Sequence, residues 1–188
     1  MLADLLRLFS GSAAAFVALL LLRAALHKAA DASRFEGVLA DYDLTPGWAL
    51  RPLRAILPAL EIAAAGALCF GPTQVVGAVL AGGVLAVYGA AMAIALWRGR
   101  TEIDCGCGGP ALQLGWSLVV RNATLIAMLL PAVLASTGWR ALSEAGVGWA
   151  MALVALAGWI ACEQLAANHH RMRKATGLPA VDLFGGAA

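Results

Sequence analysis

The sequence predicts an all-α fold, a polytopic membrane helical bundle of about five transmembrane helices. Three observations lead there. Of the 188 residues, 62% are hydrophobic and only 13% are charged, whereas a soluble domain is roughly half apolar with about a quarter of its residues charged. The apolar residues fall into blocks that suit a bilayer core about 30 Å thick, which takes roughly 20 residues per helix. Short polar stretches separate the blocks and leave no room for a separate soluble domain. The net charge of +2 is small and dispersed, which argues against nucleic-acid binding and makes the lipid bilayer the expected partner, with basic residues as orientation signals.

The first span runs over about 9–30. Its uncharged part ends at Leu22, and Arg23, His27 and Lys28 occupy the last turns. An apolar stretch after Arg7 resembles a leader, but Asp4 breaks a purely basic start and no clean cleavage site follows, so an uncleaved helix is expected. A connector from Asp31 to Arg51 follows, in which Tyr42, Pro46, Gly47 and Trp48 read as an interfacial turn. The second span, about 52–70, contains Glu61. No charge then appears from Ile62 to Trp97, too long a run for one span, and Gly71-Pro72-Thr73-Gln74 breaks it.

Span three is therefore about 75–97. The polar segment from Arg98 to Pro110 (RGRTEIDCGCGGP) reads as a surface loop because its glycines oppose helix. Spans four and five cover about 116–134 and 147–166, and a basic stretch, His169 to Lys174, closes a single membrane domain of residues 1–174. Residues 175–188 form a short tail. With five spans, Arg7 and Arg140 lie on one side and the other eleven Lys and Arg on the opposite side. The positive-inside rule then turns the C-terminus and the Cys-Gly-Cys loop toward the cytoplasm.

Cys105 and Cys107 are the sharpest chemical feature. A Cys-x-Cys pair can close a small disulfide ring, and a strained, exposed disulfide exchanges readily. Gly106, Gly108 and Gly109 supply the backbone freedom that ring requires. Arg98, Arg100 and Arg121 favour a thiolate, while Glu102 and Asp104 oppose it. Spacing alone leaves other readings open: two incidental loop thiols, or half of a metal site shared with a partner. The chain itself shows no Cys/His set of zinc type. Cys69 and Cys162 read as small buried apolar residues.

Ionisable residues inside a span form the second feature, because they are expensive there and face a partner or a cavity. Glu61 lies about 10 Å along its helix from Arg54, and Arg23 lies at similar depth on the preceding span, so the two could pair. Arg23 and His27 are four residues apart and share a helix face. Together with Arg121 these define a polar cluster, Arg23, His27, Glu61 and Arg121, beneath the cysteine loop. It reads equally as a register-fixing ion pair and as a proton-handling or quinone-contact site. Lys28 reads as a snorkelling interface residue.

These residues resemble the DoxX/MauE group of redox-associated membrane proteins, most closely the MauE type. The resemblance rests on Arg23-Ala-Ala-Leu-His27-Lys28, Phe35, the Tyr42 to Pro46 segment, Glu61, Asp104-Cys105-Gly106-Cys107-Gly108 and Arg121-Asn122. It implies a four-helix DoxX-like core plus a C-terminal span, in the bacterial inner membrane. It also implies a part in maturation, processing or transport of the methylamine dehydrogenase small subunit beside a thioredoxin-like MauD-type protein. The leading expectation is a thiol-disulfide component in which Cys105 and Cys107 cycle between dithiol and disulfide. The alternative is a non-enzymatic scaffold or transport factor for the same client, and a third reading is metal delivery. No cofactor is evident from any motif, and a bound quinone is compatible with the cluster without being specified by it.

Overall fold

A computed structural model describes residues 2–100, 114–134 and 142–176, and every regular element in them is helical. The apolar blocks wind into α1 (Leu2–Ala30), α3 (Gly47–Cys69), α4 (Gln74–Trp97), α5 (Trp116–Leu134) and α6 (Leu142–Thr176), with a short α2 (Ala32–Tyr42) between the first two. Helices suit such sequences because each backbone N–H and C=O is satisfied within its own segment when water is absent. Among the described residues, five helices are long and apolar enough to cross a membrane. The chain is thus an all-helical, multi-pass membrane protein.

The stretch expected as a connector holds a helix of its own. The Asp31 carboxylate accepts a hydrogen bond from the Arg34 backbone N–H at 3.0 Å and caps the α2 N-terminus. Phe35, Val38 and Tyr42 then recur at helical spacing and are all buried, which gives α2 one apolar face against α3 and α1. Asp43 ends the helix in the left-handed conformation (φ 50°). Across the gap Arg54 pairs with Glu36 at 2.7 Å, fastening α2 to α3. α3 starts at Gly47, earlier than the expected 52, after Pro46 in extended conformation.

α1 is the centre of the bundle and packs against α2, α3, α4, α5 and α6. Its most apolar window is 56% buried, against 28% for α3, α4 and α5 and 11% for α6. The reason is a run of small side chains, among them Ala13, Ala14, Ala15 and Ala18, which lets neighbours approach from several sides. α6 packs mainly on α1 and otherwise faces outward; it also runs beyond the expected 147–166 at both ends.

Two joints set the geometry at opposite ends of the bundle. At one end, Gly71–Thr73 forms a 3₁₀ turn between α3 and α4, and the Thr73 hydroxyl donates to the Ala67 carbonyl at 2.9 Å. The helices then run so close that a Cβ on Gly77 would lie 2.5 Å from the Leu68 backbone nitrogen. At the other end α4 finishes in a Schellman motif: Gly99 has φ +74°, its N–H bonds Leu96 O at 2.9 Å, and Arg100 N–H bonds Ala95 O at 3.0 Å. Trp97 and Trp116 meet edge to face with centroids 5.9 Å apart. With Trp48 these exposed rings mark one membrane–water interface.

The backbone contact at Gly77 makes a sharp prediction. Gly77→Val should destabilise the α3–α4 hairpin by about 1–3 kcal/mol or more, since backbone cannot give way as a side chain can. Gly82→Ala, where a Cβ meets nothing within 4 Å, should leave stability unchanged or slightly raised. Thermal unfolding of the purified protein in detergent compares them, and equal melting curves would contradict the close approach.

Candidate functional site

Two ion pairs, one buried and one half-buried, occupy the half of the bundle on the Trp97–Trp116 side, and α1 supplies a cation to each. Arg23 and Lys28 are five residues apart, about 140° around the helix, so they address different neighbours. Lys28 points between α2, α3 and α4. Its ammonium donates to Glu61 Oε1 on α3 and to the Tyr88 hydroxyl on α4 at 3.3 Å. The same ammonium lies 4.5 Å from the Tyr88 ring centroid and 5.3 Å from that of Phe35 on α2, within cation–π range. Lys28 is 5% exposed and Glu61 0%.

Arg23 points the other way and donates to Glu163 Oε2 on α6 at 2.9 Å. Arg121 on α5 approaches Glu163 Oε1 at 3.7 Å, and the Trp159 indole N–H donates to that oxygen at 2.9 Å. The Arg121 guanidinium also lies 5.8 Å from the Trp159 ring centroid. One carboxylate thereby binds α1, α5 and α6. A cavity of about 50 Å³ between the two pairs is lined by Arg23, Lys28, Glu61, Arg121 and Glu163 among others, which is large enough to hold water. The described layer therefore sets three cations against two carboxylates. Glu61 Oε2 is buried and has no hydrogen-bond partner among the described residues.

A larger cavity of about 370 Å³ lies on the far side of Lys28, between α2, α3 and α4. Its walls are apolar, with Phe35, Val38, Leu57, Val87 and Tyr88 among them, and Lys28 stands at its edge.

The segment that carries the cysteines starts and ends against α2. Arg100 donates to Asp41 O at 2.9 Å and pairs with Asp43 Oδ2 at 2.8 Å, and Arg98 donates to Asp43 O at 3.1 Å. On the return side Leu114 and Leu118 are buried with Val38, Tyr42, Met92 and Ala95. Asn122, one residue past Arg121, donates to Met92 Sδ at 3.6 Å.

Cys105 and Cys107 lie outside the described residues. Of the four polar residues expected to cluster, Arg23 and Arg121 converge on Glu163, and Glu61 lines the same small cavity but pairs with Lys28. The expected Arg23–Glu61 pairing is thus replaced by two separate pairs, because Arg23 faces α6 and not α3. His27 is exposed and takes no place in the layer. Lys28 is not a snorkelling surface residue but the buried partner of Glu61. Glu163 and Tyr88 were not anticipated, although Glu163 is the sole charge in the fifth apolar block and Tyr88 one of two tyrosines in the chain.

A family model for the methylamine utilisation protein MauE matches residues 6–138. That stretch takes in Lys28, Glu61, Tyr88, Cys105, Cys107 and Arg121, and it stops short of Glu163. The chain is 42% identical to the methylamine utilization protein MauE of Paracoccus denitrificans over 117 residues, 61% of this chain and 63% of that one. It is 39% identical to the protein of the same name from Paracoccus versutus over 119 residues, 62% of this chain and 64% of the relative. The protein of that name from Methylorubrum extorquens is 39% identical over 125 residues, covering 62% of this chain and 67% of its own. The chain thus spans less than two thirds of the length of the two Paracoccus relatives. No solved structure matches.

A buried pair is costly to break from one side. Lys28→Met and Glu61→Leu should each lower stability by roughly 3–5 kcal/mol, because each strands a buried partner, while the two substitutions together should recover most of the loss. A double-mutant cycle read from unfolding in detergent measures the coupling. Additive losses would show that the two side chains do not act as a pair.

Proposed function

The chain belongs to the MauE family of methylamine utilisation proteins, and on that premise we propose that it is a membrane thiol-disulfide component serving methylamine utilisation. Its task in this reading is maturation of the methylamine dehydrogenase small subunit, with a thioredoxin-like MauD-type protein as exchange partner. One observation carries the redox part: Arg98, Arg100 and Leu114, which flank the Cys-Gly-Cys segment, are fastened to α2, the helix whose Phe35 closes over the buried Lys28 ammonium. The described residues on either side of the segment are thus held on one helix, which supports reading Cys105 and Cys107 as a working pair over reading them as two incidental thiols.

The exchange itself is ordinary thiol-disulfide chemistry. A thiolate of one protein attacks a disulfide sulfur of the other. One S–S bond forms as the other breaks, the second sulfur leaves as thiolate, and the mixed disulfide is resolved by the attacking protein's second cysteine. Arg98 and Arg100 favour the thiolate that each step needs, while Glu102 and Asp104 in the same segment oppose it.

The distribution of basic residues supports a cytoplasmic side for this chemistry. Arg34, Arg51, Arg54, Arg98 and Arg100 all belong to the end of the bundle where the cysteine segment starts. In a bacterial inner membrane this turns the pair toward the cytoplasm. A client that folds outside then requires electrons to cross the bundle.

Alkylation trapping in cells should show Cys105 and Cys107 in both dithiol and disulfide forms, and Cys105→Ser with Cys107→Ser should abolish dehydrogenase maturation while the protein still inserts. If the pair never forms a disulfide and the double variant still matures the enzyme, the chain is a scaffold and not a redox component. Separately, an impermeant thiol reagent added to intact cells should leave Cys105 unlabelled until lysis. Labelling from outside reverses the orientation.

A further inference from the structure

We propose that the 370 Å³ cavity between α2, α3 and α4 is a binding site for a membrane-dissolved quinone, with Lys28 and Tyr88 at its polar end. The volume lies in the range of small-molecule sites, which are mostly apolar with a few placed polar groups. Along α4 the cavity extends from Val87 to Ile94, about 10 Å at 1.5 Å per residue. Val87, on its wall, is 59% exposed on the outer surface of a membrane-spanning helix, so a ligand can enter sideways from lipid.

The polar end determines which lipid-soluble molecule fits. An ammonium has three N–H donors, and two of those of Lys28 go to Glu61 and Tyr88. A third is left for an acceptor in an otherwise apolar cavity. Lys28 is already paired with the Glu61 carboxylate, so a fatty-acid or phospholipid anion would compete with that carboxylate for the same ammonium, whereas a neutral acceptor leaves the buried pair intact. A saturated hydrocarbon would leave the donor without an acceptor. A neutral carbonyl satisfies it. Phe35 and Tyr88 line the same end, and aromatic faces favour a flat ring. A carbonyl on a flat ring with an apolar tail is the structure of a quinone.

Such a ligand would couple to the cysteine pair by a balanced exchange, and this step rests on the redox reading above. A dithiol and a quinone interconvert with a disulfide and a quinol, two electrons and two protons passing together. The binding site itself stands on the cavity alone.

The test uses the full-length chain in nanodiscs, photolabelled with an azidoquinone, with decylubiquinone, stearate or dodecanol as competitors. Labelling should fall within α2 and α4 and be displaced by decylubiquinone at concentrations at least ten-fold below those of stearate or dodecanol. Ala91→Phe, which fills the cavity, and Lys28→Met should each weaken displacement at least ten-fold. Equal displacement by all three competitors, or uncompeted labelling of the native chain, overturns the site whether or not the variants fold. The Cys105→Ser/Cys107→Ser variant should bind as the native chain does, so failure of the redox reading and failure of the site give different results.

Discussion

The contact on which the remaining geometry depends is the ion pair between Lys28 and Glu61. Neither side chain can reach bulk water, and an isolated charge at that depth is expensive. Each is tolerable only while the other is in place, which fixes α1 against α3 at one rotation and one depth. Tyr88 and Phe35 complete the enclosure of the ammonium and draw α4 and α2 into the same arrangement. Apolar packing among alanines and leucines does not select a register so narrowly, because one methyl group substitutes for another when a helix slides or turns. A buried pair does not permit this.

α1 extends that logic to the other half of the bundle. Its two cations diverge, Lys28 to α2, α3 and α4 and Arg23 to α5 and α6. Small residues earlier in the helix allow close neighbours on several sides, and charges near its end then select which neighbour lies where. α6 is the least buried of the five long helices, so the Glu163 contacts with Arg23, Arg121 and Trp159 carry much of its placement. The family match at 6–138 covers the Lys28 side in full and only two of the three residues that hold Glu163. The Lys28 layer therefore lies within the stretch that the family model matches, and the α6 contact reaches beyond it.

Much of this architecture could be read from residue order because hydropathy in a bilayer is close to a direct structural signal. The break at Gly71-Pro72 and the span from Trp116 to Leu134 coincide with the helices found. α2 was missed because a solvent-polar stretch of eleven residues with charges on one face looks like a connector unless Phe35, Val38 and Tyr42 are counted as a periodic set. The site was legible as a list of costly residues but not as pairs. Depth along a helix follows from counting residues, which brought Arg23 and Glu61 to the same level; azimuth depends on which helices are neighbours, and that is a tertiary fact. Lys28 was assigned to the interface because a flexible lysine near a helix end usually reaches water. Here α2 folds back over that end and removes the water.

The return of α2 has a functional consequence as well as a structural one. By covering the end of α1 it creates an apolar space beside a charged group, and by offering Asp41 and Asp43 at its C-terminus it holds the start of the cysteine segment. The surface ion pair between Arg100 and Asp43 contributes little energy on its own, about 0–1 kcal/mol. Its geometry is reinforced by the Schellman turn at Gly99 and by two further bonds to α2 carbonyls, so the chain leaves α4 in one direction. On the return side Leu114 is buried against the same helix. One short amphipathic element thus does two things: it covers the buried ammonium and holds the described residues on both sides of the cysteine segment. A change that loosens α2 should disturb both together, which is the behaviour expected of a site whose membrane-embedded and surface parts work as one.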